Sequence, residues 1–161
     1  MKKGFTLLEV LLVISIIVIL SGVVFFVYPK YLSRSRDDIR KNDLRVYQVA
    51  LENYANDHSG YYPAFLANHN VNLMCGASIL NEPACENDPL FNTPANPHYH
   101  YMSNGGPDGT ANATTWVLSA TLEEKFNGQT YLWVACSDGR TGRVLPPEWF
   151  PNGVCPSNLL P

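Results

Sequence analysis

Residues 1–28 read MKKGFTLLEVLLVISIIVILSGVVFFVY, and this stretch decides the architecture of the chain. From Val10 to Tyr28 there are 19 residues without a charge. As a helix this segment would extend about 28 Å, which matches the hydrocarbon core of one bilayer. A cleaved secretory signal has a shorter apolar run that ends in a small-residue cleavage site. The sequence here continues with Tyr28-Pro29-Lys30-Tyr31 instead, so we expect an uncleaved membrane helix.

Glu9 is the one acid near the start of this apolar run. A carboxylate at the centre of a membrane helix costs about 3 kcal/mol, and less near the interface, so it usually marks a functional site with a cationic partner. Cleavage between Gly4 and Phe5 would create such a cation, because a new α-amino group has a pKa of about 7.7–8. We predict that Glu9 of one chain pairs with the Phe5 amine of a staggered neighbour.

Residues 1–10, MKKGFTLLEV, resemble the class III leader of type IV pilins and type II secretion pseudopilins. The basic leader, the glycine, the phenylalanine and the acid all match that pattern. In this family a prepilin peptidase cuts after the glycine and N-methylates the new first residue. The resemblance therefore implies that Gly4 and Phe5 form the cleavage site, that Phe5 is methylated, and that Glu9 is the filament-assembly residue.

Two features of the sequence predict opposite orientations for the membrane helix. Two lysines precede the span and six basic residues follow it within residues 29–45, so a positive-inside count would place the C-terminal side in the cytoplasm. Long following domains can cross regardless of charge, and both the cysteines and the family resemblance favour an extracytoplasmic side. We therefore expect a single-pass inner-membrane precursor with a cytoplasmic N-terminus, and a periplasmic or cell-surface filament after assembly.

Beyond Pro29, which should kink the helix, an apolar stripe predicts a second, amphipathic half. The stripe comprises Leu44, Val46, Tyr47, Ala50, Leu51 and Tyr54. Residues 56–60 should end the helix, with Gly60 as a cap. The predicted divisions are a leader at 1–4, a transmembrane assembly helix at 5–28, an amphipathic helix at 29–58 and an extracytoplasmic domain at 59–161.

A mixed-charge group on the second half comprises Arg34, Arg36, Asp37, Asp38, Arg40, Lys41, Asp43 and Arg45. We interpret it as a solvated helix face. The alternative is that these charges meet neighbouring subunits or anionic lipid headgroups. Further on, the turn from Asp57 to Pro63 resembles the D-x-G-x-Y-P turn of major pseudopilins with one extra residue, which favours that branch over a type IV pilus without excluding the pilus.

The C-terminal domain is expected to be mostly loops and one hairpin. Residues 64–112 are rich in turn formers, with one short strand predicted at 98–102. In residues 115–122 and 131–136 apolar residues alternate with others, which predicts two strands. Asn127-Gly128 between them predicts a hairpin turn. The apolar face of this hairpin should cover the helix stripe. The predicted fold class is α+β, a long N-terminal helix with a small antiparallel sheet on its distal half.

The four cysteines, Cys75, Cys85, Cys136 and Cys155, predict disulfides in an oxidising compartment. Four cysteines allow three connectivities, and we favour the local pairs Cys75–Cys85 and Cys136–Cys155. Zinc is disfavoured because the spacings lack paired C-x₂₋₄-C ligands, so no structural metal is expected.

Two further groups of polar residues are candidate ligand sites. His98 and His100 could share a strand face, but without a third ligand we interpret them as an ordinary surface pair. Because some pseudopilins bind calcium in a distal loop, the resemblance also makes Asn104 and Asp108 candidate calcium ligands. No other cofactor is expected.

Composition narrows the function further. The net charge is −3, and residues 46–161 carry ten acids but only Lys125, Arg140 and Arg143 as bases, which argues against nucleic acid as a partner. Nucleotide-binding, hydrolase and metalloprotease motifs are missing, so we do not expect an enzyme. The sequence favours a structural filament subunit, whose partners would be copies of itself, other pilin-like subunits, prepilin peptidase, an assembly ATPase with its platform protein, and the inner membrane. The alternative is a membrane-tethered binding module that never polymerises and uses the 64–112 loops.

Overall fold

One helix, α1, organises the molecule and runs from Leu7 to Asp57. The computed structural model describes residues 6–75, 79–80, 85–93, 95, 97–146 and 150–161. With 51 residues, α1 is about 77 Å long. Its C-terminus lies where the sequence predicted it, since His58 is the cap residue and Gly60 takes the left-handed conformation at φ +87°.

Pro29 lies inside α1, which continues through it as one helix. The axis bends by 42° between Leu7–Gly22 and Val27–Asp57. A bend just before a proline is expected, because the ring crowds the carbonyl of the preceding turn and removes one backbone hydrogen bond. The kink predicted from the sequence is therefore present as a bend rather than as a break.

Two antiparallel sheets follow the helix. The larger one has the strand order β2-β3-β5-β6-β7, and the smaller pairs β1 with β4. The strands are β1 (Tyr62–Pro63), β2 (His69–Asn70), β3 (His100–Ser103), β4 (Ala111–Ala113), β5 (Trp116–Thr121), β6 (Leu132–Cys136) and β7 (Thr141–Val144). Short 3₁₀ turns occupy Val71–Met74 and Pro151–Gly153. The described chain is thus an α+β fold, which confirms the predicted class.

The predicted hairpin is formed by β5 and β6, with Ala120 opposite Trp133. At its tip, Asn127 and Gly128 have φ values of +50° and +77°, as a tight turn of the primed type requires. Phe126 and Gln129 close the turn with two backbone hydrogen bonds of 3.0 Å. The strands are one or two residues shorter than predicted.

The main core lies between α1 and one face of the sheet, as predicted. Its helix side includes Leu44, Tyr47, Leu51 and Tyr54, and its sheet side includes Trp116, Leu118 and Ala120. Val46 was wrongly assigned to this stripe, since it is 45% exposed. Two residues along a helix correspond to a rotation of about 200°, so Val46 lies almost opposite Leu44.

The other sheet face is buried as well, which the sequence did not reveal. Val117, Val134, Val144 and Phe150 belong to a second core cluster beneath the C-terminal segment. The backbone of Arg143 pairs with Leu160 and holds that segment against β7. Residues 64–112, expected to hold one strand, contain β2, β3 and β4 among their described positions.

Candidate functional site

The candidate site is the exposed N-terminal half of α1, and the described chain reaches it from Thr6 onward. Gly4 and Phe5, the predicted cleavage and methylation residues, lie outside the described residues. Thr6 is the N-cap, and its hydroxyl accepts a hydrogen bond of 3.3 Å from the Glu9 backbone N–H. Sequence reasoning assigned Thr6 no role, although T-x-x-E is the pattern of a capping box.

Glu9 occupies the first helical turn, where the partial positive charge of the helix end favours an acid. Its neighbours Leu7, Leu8 and Val10 are 82%, 74% and 50% exposed. Within the described part of the chain, the Glu9 carboxylate accepts no hydrogen bond and forms no ion pair. The structure therefore places on an apolar surface an acid that has no partner among the described residues.

The remainder of this half is apolar on all sides and lies outside the head, the name used below for the described part of residues 59–161. Leu12, Val13 and Ile14, which follow one another at about 100° around the helix axis, are 53%, 47% and 54% exposed. The hydroxyls of Ser15 and Ser21 donate to carbonyls of the preceding turn, at 2.7 and 2.8 Å. A helix that is apolar all round needs lipid or other helices as its surroundings.

A test of length and hydropathy finds no single straight helix among the described residues that could cross a membrane. The bent pair Leu7–Gly22 and Val27–Asp57 passes the test together, by length and composition.

The charged group on the second half of α1 is partly buried, which corrects its interpretation as a solvated face. Arg40, Asp37 and Asp43 are only 1%, 3% and 4% exposed. The Arg40 guanidinium donates to both oxygens of Asp88, at 2.6 and 2.9 Å, and to Asp37 at 2.7 Å. The interpretation of Arg40 and Asp37 as solvated was wrong because the partners of Arg40, Asp88 and Glu123, come from loops distant in sequence.

Asp37 and Glu123 extend this network to the β5–β6 turn. Asp37 accepts the backbone N–H groups of Glu123 and Glu124, each at 2.8 Å. The Glu123 carboxylate pairs with Arg40 at 2.7 Å and with Arg36 at 2.5 Å. The network therefore joins α1, the hairpin turn and the loop around Asp88, and fixes the head on the helix.

Electrostatics follow from this arrangement. Burial alone lowers the pKa of Arg40, but the hydrogen bonds to Asp88, Asp37 and Glu123 outweigh it and raise that pKa above its usual value. The hydrogen bond from Arg36, together with Arg40, lowers the pKa of Glu123 despite partial burial. Both groups are therefore held in their charged forms.

Asp43 forms a separate buried contact with the hydroxyl of Tyr99, which donates to it at 2.6 Å. Burial raises the pKa of Asp43, and the Tyr99 hydrogen bond counters this only in part. The pKa of Tyr99 is raised chiefly by burial and next by the hydrogen bond to Asp43. This pair ties α1 to the chain just before β3.

The structure contains both local disulfides favoured by the sequence. Cys75 is bonded to Cys85, and Cys136 to Cys155, with Cα–Cα distances of 5.9 and 5.7 Å. Cys136, Cys155 and Asp138 lie close enough to suggest a metal site. Since both sulfurs are consumed by the disulfide, these cysteines cannot act as thiolate ligands.

The other candidate ligands are engaged in contacts of their own. His98 packs edge-on against Phe91, and His100 lies in β3, where burial lowers its pKa. The Asn104 amide oxygen is occupied by the backbone N–H groups of Thr114 and Thr115, at 2.6 and 3.0 Å. Calcium binding at Asn104 and Asp108 stays a prediction.

Comparison with known proteins adds one finding at the N-terminus. Residues 1–25 match the family model described as the prokaryotic N-terminal methylation motif. No match at the threshold of significance is found among curated proteins or solved structures.

Together, the fold and this motif define a class of protein. The long N-terminal helix with a small antiparallel sheet is an α+β architecture consistent with the pilin fold. The motif supports a class III prepilin-like leader and hence a type IV pilin-like or pseudopilin precursor. This match does not distinguish major pseudopilins from other members, so the major-pseudopilin branch stays a prediction.

Proposed function

We propose that this protein is a structural subunit of a type IV pilus-like or type II secretion pseudopilus filament, not an enzyme. In this proposal prepilin peptidase cuts after Gly4 and methylates Phe5, and the mature chain assembles through the N-terminal half of α1. Of the two filaments, the turn from Asp57 to Pro63 favours the secretion pseudopilus.

The observation that carries the proposal is the division of α1. From Asp37 onward the helix buries one face in the head, whereas the described side chains from Leu7 to Tyr31 are exposed and mostly apolar. An exposed apolar helix surface needs an apolar partner, and no described residue of the head supplies one for the first half. Membrane lipid would provide one before assembly and the same half of neighbouring copies would provide one afterwards.

Glu9 explains why the apolar half favours protein assembly over simple anchoring. Its carboxylate has no described partner within its own chain, and an unpaired charge is costly in an apolar environment. The Phe5 amine created by cleavage would lie next to Glu9 of a staggered neighbour and neutralise it. Head-to-tail contacts of this kind build open helical filaments rather than closed rings.

The proposal places the precursor in the inner membrane with the head outside the cytoplasm. Disulfides in the head support an oxidising compartment. Its proposed partners are further copies of this chain, other pilin-like subunits, the prepilin peptidase, and an assembly ATPase with its platform protein.

The experiment that tests assembly is Glu9→Leu, with Glu9→Gln as a variant that removes the charge at nearly constant size. Both chains should insert and be processed but should form no filaments, as seen by electron microscopy of sheared fractions. Glu52→Gln, which neutralises an exposed acid on the head part of the same helix, is the control and should assemble.

Filaments formed by Glu9→Leu at the wild-type level would contradict the proposal. They would show that Glu9 has no assembly role. A wild-type chain that forms no filaments would instead favour the alternative, a tethered binding module that never polymerises.

A further inference from the structure

The basic residues of the head are gathered at one end. Residues 46–161 contain only three bases. Two of them, Lys125 and Arg143, line one groove together with Arg34 and Lys41 of α1, and three acids that pair with these or with neighbouring cations line it as well: Asp37, Asp38 and Glu124. The third, Arg140, lies at the opposite end of the hairpin, in the turn between β6 and β7, where it pairs with Asp138 at 2.7 Å.

This groove lies at the end of the head nearest the apolar half of α1, since Arg34 lines it. Arg34 donates to Glu124 in the β5–β6 turn at 2.8 Å, so the turn lies level with Arg34. Arg34 follows Tyr28, the last residue of the uncharged run, by six residues or about 9 Å along the helix. The hairpin tip is therefore within about one Debye length of the level at which the apolar segment ends.

Two cations at this level lack an ion pair among the described residues. Arg34 is paired with Glu124, and Lys41 with Asp38. Lys30 and Lys125 form no ion pair with any residue that the structure describes. Lys30 precedes Arg34 by one helical turn and thus shares its face of α1.

Aromatic side chains accompany these cations. Phe126, at the tip beside Lys125, is 46% exposed. The Arg143 guanidinium lies over its ring, 4.9 Å from the centroid. Tyr28 and Tyr31 on the helix are 56% and 68% exposed. Exposed aromatics next to cations are typical of groups that settle at the interface between bilayer and water.

We propose that the β5–β6 turn docks on anionic phospholipid headgroups of the membrane that holds the apolar half of α1. Lys30 and Lys125 would contact the headgroup phosphates, and Phe126 would rest at the acyl boundary. This inference rests on the proposed function, since it needs the apolar half in a bilayer. Docking would hold the head of the unassembled subunit in one tilt at the membrane surface.

The test uses the full chain, one copy per lipid nanodisc, with a paramagnetic label on a small fraction of the headgroups. Discs contain phosphatidylcholine alone or with phosphatidylglycerol added. Relaxation of the Lys125 and Phe126 amide signals reports how close the turn is to the headgroups. We expect strong enhancement with phosphatidylglycerol, a weak one without it, and loss of the difference at high salt.

Lys125→Gln and Arg140→Gln form a matched pair, because each removes one positive charge from an exposed turn. Each cation near an anionic surface strengthens adsorption about fivefold. Lys125→Gln should therefore lower the ratio of docked to free heads about fivefold, whereas Arg140→Gln should leave it unchanged.

Equal relaxation enhancement with and without phosphatidylglycerol would overturn the inference while leaving the membrane anchor intact. An equal decrease of the ratio of docked to free heads in Lys125→Gln and Arg140→Gln would do the same. Relaxation that appears only with two copies per disc would overturn it in favour of a contact between subunits. A chain that fails to enter the discs would instead overturn the membrane anchor in the proposed function, and the docking with it.

Discussion

Arg40 shows how single residues hold the head on the helix. It is 1% exposed and shares its charge among Asp37, Asp88 and Glu123. A buried ion pair is often no more stabilising than an apolar replacement for the whole cluster, but removing one member leaves buried charge uncompensated. Arg40 is therefore the residue on which this contact depends most.

Arg40→Met should lower the free energy of unfolding of the full chain by about 3–5 kcal/mol, because it leaves the buried carboxylates of Asp37 and Asp88 without their cationic partner. Chemical denaturation in detergent, followed by tryptophan fluorescence, measures this change. Arg45→Met on the exposed side of the same helix should change it by less than about 0.5 kcal/mol. A loss below about 1 kcal/mol for Arg40→Met would contradict the role given to the network.

At this scale the sequence predicted apolar positions well and charged ones poorly. Leu44 and Leu51 could be assigned because helical periodicity shows which positions share a face. Arg40 could not, since the periodicity of a charged residue reveals nothing about a partner 48 positions away, as Asp88 is. Thr6 was readable in principle from the T-x-x-E capping pattern.

Among the elements, α1 and the β5–β6 hairpin carry strong local signals. Charge-free length and an apolar stripe predicted both halves of the helix, and Asn127-Gly128 predicted the turn. Strands β2 and β7 were missed because they have two and four residues and owe their formation to sheet neighbours. The bend before Pro29 was readable, because proline disrupts a helix by local sterics alone.

Gly128→Ala tests the turn at the scale of one element. Gly128 has φ +77°, a conformation that costs an alanine about 1–2 kcal/mol. The unfolding free energy should fall by about that amount, measured by chemical denaturation. Gln129→Ala, at the next exposed position, should be nearly neutral. Equal effects in both variants would show that the turn conformation is not what the hairpin requires.

The molecule as a whole should lose stability in acid. Burial lowers the pKa of His100, and of His69 despite the nearby Asp108, so the unfolded chain binds more protons around and below its histidine pKa of 6.5. Stability from these histidines is present above that pH and is lost as the pH falls. Glu123, with its lowered pKa, extends the loss below about pH 4.5, whereas Asp43 acts in the opposite sense.

Unfolding free energies measured from about pH 7.5 to pH 5 should therefore decrease, and His100→Asn should reduce that slope. Gln129→Asn, at an exposed position without a titratable side chain, is the control and should keep the wild-type slope. An unchanged slope in His100→Asn would show that His100 does not supply the pH dependence.

The account of the whole molecule depends on the new N-terminus that cleavage would create beside Glu9. Intact mass spectrometry with N-terminal sequencing of the membrane and sheared-fibre fractions tests this claim most directly. The account predicts a mature chain that begins at N-methylated Phe5 in both fractions. A chain that still begins at Met1, in cells with an active prepilin peptidase, would contradict it.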